Sequence, residues 1–149
     1  MYDLIQFTEG LQEQIINFYC KCLPESGREF EPKGRHEVLT KVKYNYDMFW
    51  CLKFNDKIIG TIAINKLSAN KCELKSMYLL SEYHGNGLGQ GMMDKALEYA
   101  KEKDFKEMYL DTLSSSERAI RLYVKNGFKK IERYNDNMIA DVFMKSSIK

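Results

Sequence analysis

The sequence predicts an α+β fold, a mostly antiparallel mixed sheet flanked by helices, on three observations. Three apolar, β-branched runs follow one another with only short turns between them: "MFWCLKF", "KIIGTIAINKL" and "CELKSMYLL". A segment of helical period, "GLGQGMMDKALEYAKEKD", then leads into a further buried-type run, "EMYLDTL". Tight turns join antiparallel strands, whereas a helical crossover joins parallel ones, so the sheet should be antiparallel with one parallel step. With 149 residues the chain has the usual size of one domain, and we read residues 1–149 as a single one.

Residues 3–7 read as a short strand. Residues 10–22 read as a helix with Leu11, Ile15, Ile16 and Tyr19 on one face. Pro24 and Pro32 lie in "LPESGREFEPKGR", the most loop-like stretch, and residues 35–44 are a candidate second helix. The "NDK" between the first two long strands is a hairpin signature, and "SANK" turns the chain into the third. The next helix spans roughly 15 residues, with Leu88, Met92, Ala96, Tyr99 and Ala100 on one face. In "SSSERAIRLYVKNGF", Ser114-x-x-Glu117 matches a capping box and Gly127 the glycine that ends a helix. "FKKIERY" and "IADVFMKS" read as two closing strands.

Composition excludes several classes of function. A net charge of +2 on 30% charged residues points neither to nucleic acid nor to a membrane surface. Asp3 and the lack of a long apolar run argue against a signal peptide, and no stretch approaches the ~20 apolar residues of a membrane span. Cys20, Cys22, Cys51 and Cys72 lack the spacing of a zinc site with each other or with His36 and His84. Free thiols in the cytoplasm, and no metal, are expected.

"YHGNGLGQGMMDKAL" places Gly85, Gly87, Gly89 and Gly91 on alternate positions where a helix begins. A glycine costs a helix about 1 kcal/mol relative to alanine, and four together call for a reason. Bare backbone N–H groups at a helix start suit an anion. The segment has neither the Gly-Lys-Ser/Thr of the nucleoside triphosphate loop nor the G-x-G-x-x-G dinucleotide spacing. On the glycines alone, a tight strand-to-helix turn stays open as the other reading.

Taken together, "LKSMYLLSEYHGNGLGQGMMDKAL", "MYLDTL" and "SERAIRLYVKNGF" resemble the GNAT acetyltransferase family. In that family a strand enters a loop of the form Arg/Gln-x-x-Gly-x-Gly/Ala. A second motif, Asn-x-x-Ala-x-x-Leu-Tyr followed by Gly-Phe, comes later. The resemblance covers residues 73–134 well and the first seventy loosely. It implies a GNAT-like fold in which a splayed strand forms a cleft for acetyl-CoA, the co-substrate. Backbone groups of His84, Gly85, Asn86, Gly87, Leu88, Gly89 and Gln90 are then expected to hold its pyrophosphate, and those of Met77, Tyr78 and Leu79 its pantetheine arm. Two positions depart from the pattern. His84 stands at the family's Arg or Gln, and Ser116 at the Asn that contacts coenzyme A.

The resemblance makes Tyr123 the proton donor to the departing thiolate. Glu73 is the preferred base, reaching the amine through water, and Asp111 on the next strand is the alternative. Strand alternation would put Glu73, Lys75 and Met77 on one face and Leu74, Ser76 and Tyr78 on the other. The implied reaction moves acetyl to a primary amine by direct attack in a ternary complex. The amine, small molecule or protein, should bind against the N-terminal half; a homodimer is left open. The residues also allow an acyl-CoA-binding sensor of the same fold with weak or no turnover.

Overall fold

The computed structural model describes residues 1–149. Its strands are β1 (Tyr2–Gln6), β2 (Met48–Phe54), β3 (Lys57–Lys66), β4 (Lys71–Leu79), β5 (Glu107–Thr112), β6 (Lys129–Ile131) and β7 (Val142–Ser147). Its helices are α1 (Gln12–Glu25), α2 (Val42–Asn45), α3 (Leu88–Glu102) and α4 (Glu117–Lys125). The strands form one sheet in the order β1-β2-β3-β4-β5-β7-β6, antiparallel throughout except at β4–β5. The single parallel step is the one that α3 crosses. The hairpin between β2 and β3 turns on Asn55 and Asp56, with φ of 51° and 63°. Their left-handed conformation matches the twist of the paired strands. α1 covers one face of the sheet, with Tyr19 edge-on to Tyr78 at 5.3 Å. α3 covers the other, where a Cβ on Gly60 would lie 3.3 Å from Met92 Sδ. No helix is long and apolar enough to cross a membrane.

β4 and β5 pair only between Lys71–Glu73 and Glu107–Tyr109. Beyond that point both strands continue without a ladder between them. The splay expected of the fold is therefore present, and it leaves an edge of β4 unpaired from Leu74 to Leu79.

A bulge in β4 corrects the predicted alternation. Lys75 pairs with Ala63 and Tyr78 with Thr61, so Ser76 and Met77 together oppose one residue of β3. Ser76 takes φ of 50°. Its carbonyl accepts from Thr61 Oγ1 at 2.7 Å, and its hydroxyl pairs with Tyr46 at 2.8 Å. Tyr19 in turn donates to Thr61 at 2.5 Å. As a result Tyr78 shares a face with Glu73 and Lys75, because all three pair with alternate residues of β3. Met77 leaves that face for the α3 side, where its Cε comes within 4.0 Å of a Cβ placed on Gly89.

Three further expectations are corrected. Residues 35–44 do not form one helix: a 3₁₀ turn at Glu37–Thr40 and the short α2 are separated by Lys41, at φ −142°. The Gln12 amide bridges the break, donating to the Leu39 carbonyl at 2.7 Å and accepting from the Val42 N–H at 2.9 Å. α1 runs on through Pro24 to Glu25. The closing strands are shorter than read, since Arg133 curls the chain by donating to the carbonyls of Asn137 and Ala140 at 2.6 and 3.2 Å.

Candidate active site

The splay opens a cleft of about 990 Å³, lined by Met77, Tyr78 and Leu79 from β4, the start of α3, and Ser116 and Tyr123 from the α4 region. At the start of α3, Gly85 and Gly87 take φ of 84° and 76°, values that favour glycine. Gly89 serves packing instead, since a Cβ there would lie 3.4 Å from Leu122 Cδ2. No protein hydrogen bond engages the backbone N–H groups of Gly85, Asn86, Gly87, Leu88, Gly89 and Gln90. They lie at the N-terminus of a helix of 15 residues whose first turn carries no acidic side chain. The macrodipole favours negative charge there.

His84 differs from its expected part, because its N–H is already bonded to the Ser81 carbonyl at 3.1 Å. Its ring contributes instead, with Nε2 donating to the Leu79 carbonyl at 3.0 Å. That bond ties the loop to the end of β4. The Gln90 side chain is likewise engaged, exchanging amide bonds with Asn126 at 2.9 and 3.0 Å and so fixing α3 against α4.

Tyr123 owes its place to the end of α4. Gly127, at φ 92°, donates to Val124 O at 3.1 Å, and Phe128 donates to Tyr123 O at 3.0 Å. These two bonds are a Schellman motif, which brings Phe128 back against Tyr123 with ring centroids 5.9 Å apart. Tyr123 is only 6% exposed. Burial foremost, then the Tyr78 phenol, pushes its hydroxyl above the usual tyrosine range; Arg28 opposes the rise and Asp111 adds to it. The hydroxyl has no protein partner, yet Arg28 Nε is the one buried side-chain polar atom without one, so the Tyr123 hydroxyl reaches the cleft.

Glu73 lies elsewhere. It faces a second, smaller cavity of about 500 Å³, together with Tyr109, Tyr134 and Asn135. Asp111, Lys75 and Asn137 line both cavities. Glu73 is buried, accepts from Tyr134 at 2.5 Å and from Asn135 at 3.2 Å, and pairs with Lys75 at 3.4 Å. Asn135 and Asn137 hold the two oxygens of Asp111 at 2.6 and 3.1 Å. The segment between β6 and β7 thus clamps both candidate bases. Sequence reading gave this segment no function; its run of polar residues, "YNDN", was the available signal.

The capping box predicted at Ser114 is absent. Ser114 bonds through its N–H and its hydroxyl to Asp141, each at 2.7 Å, and α4 starts at Glu117 without a side-chain cap. Ser116 Oγ accepts instead from Arg28 Nη2 at 3.0 Å.

Comparison with known proteins agrees with this geometry. The model of the acetyltransferase (GNAT) family matches residues 13–128. The uncharacterized N-acetyltransferase YjgM of Escherichia coli is 33% identical over 87 residues, 56% of this chain and 52% of its own length. The uncharacterized N-acetyltransferase C1271.07c of Schizosaccharomyces pombe is 33% identical over 85 residues, with the same shares. The chain therefore spans about half the length of these curated relatives. A GNAT acetyltransferase structure from Staphylococcus aureus superposes with a TM-score of 0.91 at 24% identity, covering 100% of both chains. A PaiA N-acetyltransferase from Thermoplasma acidophilum, in complex with coenzyme A, gives 0.81 at 22% identity over 99% of both. The family match over most of the chain, on a splayed sheet with a glycine loop beneath its cleft, establishes that this chain belongs to the GNAT acetyltransferase family.

Proposed function

We propose that the protein is an acetyl-CoA-dependent N-acetyltransferase, moving acetyl to a primary amine by direct attack in a ternary complex. The run of six backbone N–H groups without protein acceptors, beside the unpaired edge of β4, carries this reading. A pyrophosphate fits such a set of donors, and Gly85 through Gln90 would hold it without a lysine. The free edge of β4 at Met77, Tyr78 and Leu79 would take the pantetheine arm as an added strand. The bound co-substrate supplies an activated acetyl thioester.

The protein's own residues manage the protons. Tyr123, kept in its neutral form by burial, donates to the departing sulfur. Glu73 faces the smaller cavity, so the proton that the amine loses would reach it only through water, past Lys75, Asp111 and Asn137, which line both cavities; Tyr134 and Asn135 hold its carboxylate in place. Asp111 is the second candidate base because it lines both cavities. One proton leaves nitrogen and one reaches sulfur, so the chemistry is balanced once both groups re-equilibrate with water. All four cysteines are free thiols, which suits the cytoplasmic setting we assign.

The test is release of free thiol from acetyl-CoA against a panel of amines, paired with thermal shifts by coenzyme A, ATP and NAD. Amine-dependent release supports a transferase. Stabilisation by coenzyme A without release for any amine makes the protein a sensor. Stabilisation by ATP or NAD alone overturns both.

A further inference from the structure

We infer that the acceptor carries a carboxylate close to its amine, as a small amino acid does, and that Arg28 is the residue that recognises it. The inference rests on the transferase reading above. Arg28 is set in place by the end of α1. Gly27, at φ 78°, donates to Pro24 O at 3.0 Å, and the Arg28 N–H donates to Leu23 O at 3.1 Å. These bonds form a second Schellman motif, and it turns the Arg28 side chain into the cleft. The following loop is tied down by His36, whose Nδ1 accepts from the Glu31 N–H at 2.9 Å.

The guanidinium spans the reacting end of the cleft. Nη1 donates to the Tyr78 hydroxyl at 3.4 Å and Nη2 to Ser116 Oγ at 3.0 Å. Arg28 lines the same cleft as Tyr123, the group proposed to protonate sulfur. Arg28 pairs with no carboxylate within 4.0 Å, unlike Arg35, which pairs with Glu31 at 3.8 Å. Its Nε is the only buried, unpartnered side-chain polar atom in the chain. A guanidinium partly removed from water, with one N–H wholly unsatisfied, is costly unless an anion completes it.

A planar fork of N–H donors is completed by a carboxylate or a phosphate through two parallel bonds, and with the pyrophosphate already assigned to the amides of Gly85 through Gln90, the anion left for Arg28 is a carboxylate of the acceptor. The Tyr78 and Ser116 hydroxyls accept from Arg28, so each keeps a proton to offer the same anion. Arg35 lines the cleft as well, but its charge is paired with Glu31, so Arg28 is the guanidinium left free to bind an anion. Because Arg28 bonds to Tyr78 and shares the cleft with Tyr123, an anion held there is close to the reacting centre. The amine and the carboxylate must therefore be close within the acceptor.

The experiment compares amino acids with their carboxamides as acceptors, by thiol release from saturating acetyl-CoA, in wild type, Arg28→Gln and Arg28→Lys. Calorimetry of coenzyme A binding runs alongside. Wild type should favour the acids by at least about tenfold in kcat/KM. Arg28→Gln should erase the preference while coenzyme A affinity stays within about twofold, and Arg28→Lys, which keeps charge but not the fork, should recover only part of it. Turnover of neutral amines at rates equal to or above the acids overturns the inference and leaves the transferase reading intact. So does an Arg28→Gln protein that loses coenzyme A affinity and keeps the preference, which would assign Arg28 to the co-substrate. Binding of coenzyme A with no acid accepted also overturns it. Absence of coenzyme A binding in wild type overturns the transferase reading and this inference with it.

Discussion

Replacing Tyr123 with phenylalanine removes one oxygen and preserves the packing of the ring. That ring is 6% exposed and lies 5.9 Å from Phe128, and the variant keeps both features. The hydroxyl has no protein partner to orphan. A typical hydrogen bond contributes about 1 kcal/mol, and since none is broken the stability change should stay within about 0.5 kcal/mol. Chemistry should respond differently. General acid catalysis contributes roughly 10²–10⁴-fold and water substitutes in part, so turnover should fall by about 10- to 1,000-fold. That fall corresponds to about 1.4–4 kcal/mol of barrier. The assay is steady-state thiol release at saturating acetyl-CoA with an accepted amine, under conditions where chemistry limits the rate. A rate within about twofold of wild type would falsify the acid role, leaving the thiolate to depart unassisted. A urea midpoint that moves by more than about 1 kcal/mol in stability would refute the claim that the hydroxyl is unpartnered.

Gly87→Val meets no protein atom within 4 Å, so its cost is left-handed backbone strain and a side chain where an anion must approach. Coenzyme A affinity should fall at least about tenfold by calorimetry, and unchanged affinity in the folded variant would place the anion elsewhere. Thr61→Val leaves the Ser76 carbonyl without a donor and the Tyr19 hydroxyl without an acceptor, and should cost about 2–4 kcal/mol in urea unfolding. A cost below about 1 kcal/mol would mean that the bulge does not depend on this chain of hydroxyls. Burial raises the phenols of Tyr19, Tyr46, Tyr78, Tyr123 and Tyr134, that of Tyr46 to about 12. In the unfolded chain they ionise near their ordinary value of about 10. Their contribution to stability is therefore complete below about pH 10 and declines above it, as the unfolded chain releases protons that the folded chain retains. A urea midpoint that rises between pH 9 and 11 would contradict these shifts.

The parts of the fold legible in the sequence are those whose cause is local. Asn55-Asp56 specifies its turn through the twist of two adjoining strands. Gly127-Phe128 specifies a helix end through bonds reaching five residues back. The glycines from 85 to 91 mark a helix start with bare N–H groups. What escaped reading depends on partners distant in sequence. The bulge at Ser76 needs Thr61, Tyr46 and Tyr19, and it alone moves Tyr78 to the face of Glu73. Ser114 matched a capping box, but Asp141 offered both its oxygens and won. Ser116 accepts from Arg28, in a loop 88 residues earlier, a contact that no local pattern around Ser116 signals. Periodicity likewise could not show that Tyr134 and Asn135 fold over Glu73.

The claim on which the rest depends is that six main-chain N–H groups form the coenzyme A site, and amide resonances report on it directly. In a ¹⁵N-labelled sample titrated with coenzyme A, the amides of Gly85 through Gln90 should show the largest shifts in the chain. The His84 amide, already bonded to Ser81, should move less. Binding that leaves those six amides unmoved while shifting resonances elsewhere would contradict the account.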